Sequence, residues 1–130
     1  MFVYHAVLMT GGFLFMTTGV TIAMLMRKKR WWLTAHTRAG YAGATFILLG
    51  LITALYMVSL YEGEHFAVLH AYLGLLSVFC AVLTPTLGRM QFIYRQKAAT
   101  IRPMHRWSGR ITIIMLFVTI FSGLIHAGII

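Results

Sequence analysis

Four histidines, His5, His36, His70 and His105, each lie a turn or two inside the N-terminal end of a long hydrophobic segment. Three of them have glycine four residues on: Gly40, Gly74 and Gly109. Seven residues on, all four meet a small or short residue: Gly12, Gly43, Ser77 and Thr112. On a helix, positions i, i+4 and i+7 share a face. Each segment therefore offers one imidazole above a groove without bulky side chains. That shape suits a flat, wide ligand needing two axial nitrogens, and haem is the natural candidate. The expected cofactor contacts are the four histidines as ligands, with Gly12, Gly43, Gly74 and Gly109 beneath the ring. Glycines in membrane helices also mark close packing, as Gly11, Gly12 and Gly19 can do, and the two roles are compatible.

The elements that must position these side chains follow from composition. The chain has 130 residues, 60% hydrophobic and 10% charged, with a mean hydropathy of +0.84. A soluble domain of this size cannot hide so much apolar surface. A spanning helix needs about 20 apolar residues, and four stretches qualify: Phe2–Met26, Leu33–Tyr61, His65–Leu87 and Met104–Ile129. They use nearly the whole chain. The sequence therefore predicts one all-α domain over residues 1–130, an integral membrane four-helix bundle of up-down-up-down topology. The first segment has no basic residues ahead of it and a basic run behind it, so it reads as a retained span and not a cleaved leader. Cys80 is the single cysteine and lies mid-segment, which excludes an internal disulfide; it reads as a packing residue.

Charge orients the bundle. All eleven Lys and Arg fall around the first and third connections: Arg27, Lys28, Lys29, Arg30 and Arg38, then Arg89, Arg95, Lys97, Arg102, Arg106 and Arg110. The second connection holds both acids, Glu62 and Glu64. By the positive-inside rule the basic connections are cytoplasmic and both termini lie outside. The formal net charge of +9 is thus a topology signal and a contact to anionic lipid, and does not argue for nucleic acid. Trp31, Trp32 and Trp107 stand beside the basic connections as interfacial anchors. Pro103 is expected to start the fourth helix. Pro85 and Gly88 are expected to kink or end the third, leaving 89–100 as a short interfacial stretch.

This topology pairs the histidines. Segments one and three begin outside, two and four inside, so His5 and His70 share the outer level and His36 and His105 the inner. In such a bundle one stands diagonal to three and two to four. The expectation is two b-type haems, His5/His70 outside and His36/His105 inside, with irons on the order of 20–30 Å apart along the normal. Arg38 and Arg110, near the inner level, are the expected partners of the inner propionates. The outer side has no base, and Tyr4, Tyr61, Tyr72 and His65 are its available donors. The free ring nitrogen of each ligand is expected to donate to a carbonyl or hydroxyl, with Thr34, Thr37 and Ser108 as nearby candidates. His65 and His126 fall at the outer surface; His126 has the further option of binding an acceptor or moving a proton there. Met9 reads as core packing.

The chain resembles the cytochrome b561 family in its core four-helix form. The residues that carry the likeness are His5 with LMTGGFLFMTTG, His36 after RKKRWW, LHAYLGLLSV around His70, PMHRWSGR around His105, and the closing FSGLI. The resemblance implies two haems b with first–third and second–fourth histidine pairing, and transmembrane electron transfer from ascorbate or another donor to acceptors such as monodehydroascorbate or ferric chelates. Eukaryotic members have six helices. The four found here suggest a prokaryotic form in a bacterial inner membrane, acting alone or within a larger complex.

Three functions therefore compete. One is an electron carrier or reductase with donor and acceptor on opposite faces. Another is a haem-bearing anchor exchanging electrons with quinone or a cytochrome. The last is a non-redox assembly or transport protein. A homodimer is compatible with the first two. Tetrahedral zinc needs ligands gathered at one level, whereas these histidines are split two and two. No acid lies within a span, so a carboxylate proton relay is disfavoured.

Overall fold

The computed structural model describes residues 2–61 and 65–130. Glu62 and Glu64, the acids expected in the second connection, lie outside the described residues. Four helices follow in order: α1 (Phe2–Leu25), α2 (Trp32–Leu60), α3 (Leu69–Ile93) and α4 (Ala98–His126), with a 3₁₀ turn at Arg95–Lys97 joining the last two. All four are long and apolar enough to cross a membrane. Only 22–28% of each helix's most apolar stretch is buried inside the bundle. The remainder is apolar surface facing outward, including Leu14, Ile52, Phe79 and Phe117. Such a surface is stable against lipid and not against water.

Helix α1 lies along α2, and α3 along α4; lighter contacts join α2 to α3 and α1 to α4. The diagonals, α1 with α3 and α2 with α4, come together through side chains only. Between the two ends the core is solid. Ile47, Ala81 and Leu116 are wholly buried, with Met9, Met16 and Val78 around them. Small residues let α1 and α2 approach closely. A methyl on Gly12 would meet Ile47 Cγ1 at 2.5 Å, one on Gly43 would meet Met16 Cγ at 2.8 Å, and each lies 3.1 Å from the other glycine's carbonyl oxygen.

At both prolines the helix bounds differ from those expected. Helix α3 runs through Pro85 and Gly88 to Ile93, and α4 begins at Ala98, so Pro103 lies inside it. Each proline forfeits one helical hydrogen bond. Burial of Thr84 and Leu87 around Pro85, and of Ala98 and Ile101 before Pro103, holds both helices together across the gap. The stretch expected to lie apart at the interface is therefore mostly helix. At the other end α3 begins at Leu69, and His65–Val68 are turn.

Candidate functional site: two facing histidine pairs

His5 on α1 and His70 on α3 face each other with ring centroids 6.2 Å apart and planes at 87°. His36 on α2 and His105 on α4 do the same at 5.8 Å and 77°. Both pairs cross a diagonal of the bundle.

All four rings are fixed in the same way. His5 Nδ1–H donates to the Gly50 carbonyl at 2.9 Å, and His36 Nδ1–H to the Gly19 carbonyl at 2.8 Å. His70 donates to the Thr119 carbonyl at 3.1 Å, and His105 to the Thr84 carbonyl at 2.9 Å. Each bond runs to the neighbouring antiparallel helix and is returned by it. A proton held on Nδ1 makes the neutral Nε2 a lone-pair donor, the state in which imidazole binds metal. The acceptor is the residue fourteen positions after a histidine in every case: Gly19, Gly50, Thr84 and Thr119 follow His5, His36, His70 and His105 by that interval. Fourteen residues at 1.5 Å rise separate the two levels by about 21 Å.

Helices α3 and α4 add hydroxyl pairs between the levels. Ser77 and Thr119 hydroxyls lie 2.7 Å apart, those of Thr84 and Thr112 2.8 Å, and Thr84 donates to Ser108 at 3.0 Å. Ser77, Thr84, Thr112 and Thr119 are buried, so these pairings offset the cost of placing hydroxyls in the core. Among the described residues Thr34 and Thr37 bond to none of the four rings, and Ser108 bonds the Thr84 hydroxyl and the His105 carbonyl instead of a ring. The acceptors are backbone carbonyls, joined at His70 by the Ser122 hydroxyl at 3.1 Å.

Each pair opens on a cavity. The outer one is about 690 Å³ and the inner about 310 Å³. Gly74 lines the outer cavity and Gly40 the inner; a methyl on Gly40 would meet nothing within 4 Å. Gly88 and Gly123 make room for the rings themselves, since a methyl there would stand 3.0 Å from His105 Cε1 or 2.8 Å from His70 Cε1. Gly12 and Gly43 line neither cavity; they belong to the α1–α2 contact. Gly109 is buried against Thr84 and Val20, also outside both linings. Arg38 is exposed and outside the inner cavity, and Arg110 stacks over Trp107 with its guanidinium 5.0 Å from the ring centre. The arginine that lines the inner cavity is Arg89, and Gln91 belongs to the same wall. Of the outer candidates, Tyr61 and His65 line the cavity, as does His126; Tyr4 and Tyr72 do not.

The residues fit a haem on their own chemistry. Metal–imidazole bonds of about 2 Å put two ring centroids about 6 Å apart across one metal, which both pairs match. The cavities beside them are lined mostly by apolar side chains, and glycines keep bulk away from the rings. Among the described residues no three metal-ligating side chains gather in one place; the histidines come in twos.

In comparison with known families, the profile described as eukaryotic cytochrome b561 matches residues 4–130. No curated protein and no solved structure matches the chain.

Proposed function

The chain belongs to the cytochrome b561 family, and on that premise we propose that it passes electrons across the membrane through two b haems, one at each histidine pair. Membership makes it an integral membrane protein that binds haem b and serves transmembrane electron transfer. The finer reading rests on one observation: His5 faces His70, His36 faces His105, and all four hold their Nδ1 proton on a carbonyl.

When bound with imidazole on both axial sides, haem supplies one-electron chemistry with no open iron position. His5 and His70 would hold one, His36 and His105 the other. The carbonyls of Gly50, Thr119, Gly19 and Thr84 orient the rings and make them better donors. Met9 lines the outer cavity and Met16 the inner, and both belong to the packed core between the levels. That core keeps water out of the space between the two sites.

In this reading the basic connections face the cytoplasm of a bacterial cell. Lipid covers the apolar flanks, and donor and acceptor dock at opposite ends. A homodimer or a larger membrane complex is compatible with the same wiring. The haem content of the purified chain tests the assignment. His70→Ala and His105→Ala should each lower it by half, and a variant that loses both haems or neither contradicts the pairing.

A further inference from the structure

Helices α3 and α4 carry the same stripe thirty-five residues apart. His70, Gly74, Ser77, Thr84 and Gly88 correspond in order to His105, Gly109, Thr112, Thr119 and Gly123. The correspondence continues past the last glycine, where Arg89 and Gln91 match Leu124 and His126. Arg89 and Gln91 line the inner cavity, and Leu124 and His126 line the outer. At matched places, then, the inner site has an arginine and a glutamine, while the outer site has a leucine and a histidine. His65 adds a second imidazole to the outer wall, its Nε2 lying 3.4 Å from Ser59 Oγ. Among the described residues no Lys or Arg lines the outer cavity.

A b-type porphyrin carries two carboxylates on one edge. A carboxylate beside apolar walls requires donors, and charged acceptors make the stronger hydrogen bonds. We propose that His126, together with His65, binds the carboxylate edge of the porphyrin in the outer cavity, where Arg89 and Gln91 take that part in the inner one. This rests on the two-haem reading above. Neutral imidazole offers one N–H and protonated imidazole two, so the outer anchor is weaker than a guanidinium fork. His126 is exposed on the last turn of α4, so replacing it leaves no hole in the core.

The test is haem loss from the full chain in detergent to excess apomyoglobin, followed by absorbance. A His105→Ala background keeps the outer site alone, and a His70→Ala background the inner. His126→Leu should speed loss from the outer site by about tenfold or more, the worth of one charge-assisted hydrogen bond, and leave the inner site unchanged. His126→Gln keeps an N–H donor and should restore most of the retention. Unchanged outer loss in both His126→Leu and the His65→Leu/His126→Leu double variant overturns the inference. So does equal acceleration at both sites, or a Gln variant as leaky as the Leu one. If the parent holds fewer than two haems, or the single-site backgrounds do not hold one each, the two-haem reading fails and takes this inference with it. That failure is visible before His126 is altered.

Discussion

His36 donates its Nδ1–H to the carbonyl of Gly19 at 2.8 Å, and Gly19 stands fourteen residues after His5 on α1. His5 returns the bond through Gly50, and His70 and His105 repeat the exchange through Thr119 and Thr84. Every helix thus supplies a ring at one level and an acceptor at the other. Sliding or rotating one helix would disturb both sites together, so one packing arrangement fixes both pairs.

The glycines against the rings should be sensitive in a site-specific way. Gly123→Ala places a methyl 2.8 Å from His70 Cε1 and should perturb the outer haem alone; Gly88→Ala, at 3.0 Å from His105 Cε1, should perturb the inner alone. Haem content and the low-spin spectrum of each variant would check this. An Ala at Gly40 meets no atom of the protein. It should leave thermal stability of the haem-free chain unchanged or slightly raised, while crowding the inner cavity and weakening haem retention there.

Gly12→Ala should act on the fold. Its methyl would stand 2.5 Å from Ile47 Cγ1, and Ile47 is wholly buried and cannot swing away. Overpacking of this kind costs about 1–3 kcal/mol. A lowered unfolding midpoint with both haems affected together is the expected outcome in thermal denaturation. Loss of one haem at unchanged stability would instead place Gly12 at a haem face.

Ser122 should tune one site. Its hydroxyl donates to the Thr119 carbonyl at 2.9 Å and accepts from His70 Nδ1–H at 3.1 Å, so the ring proton is shared between that carbonyl and this hydroxyl. Position 122 corresponds to Leu87 in the α3 stripe, and the inner site has no counterpart there. Ser122→Ala removes one of the two acceptors of the ring proton, makes the imidazole less electron-rich and favours ferrous iron. The outer midpoint potential should rise by on the order of 30 mV, about 0.7 kcal/mol for one electron and within the net worth of a hydrogen bond, with the inner one unmoved in a redox titration.

Much of this arrangement is legible in the sequence because helical period and charge asymmetry are long-range regularities. They place His5 with His70 and His36 with His105 before any coordinates. The acceptors are harder to read, since every residue has a carbonyl; only the recurrence of Gly, Gly, Thr and Thr fourteen positions after the histidines marks them. Depth alone points to Arg38 and Arg110 at the inner level. Helical phase points elsewhere: at about 100° per residue, Arg38 sits about 200° round from His36. Arg89 instead follows Gly88, the residue against the His105 ring. Pro85 and Pro103 read locally as boundaries, but burial of Leu87, Ala98 and Ile101 is not a local property.

The central claim is that each histidine pair holds one iron between two imidazoles. Were iron bound between them, ring planes at 87° and 77° would leave the two iron orbitals that overlap the ligands nearly equal in energy. Low-temperature electron paramagnetic resonance of the oxidised chain, quantified against protein, tests this most directly. The account predicts two low-spin ferric centres per chain, both strongly anisotropic. A single centre, a high-spin signal from iron with an open position, or no ferric signal in a folded chain would contradict it.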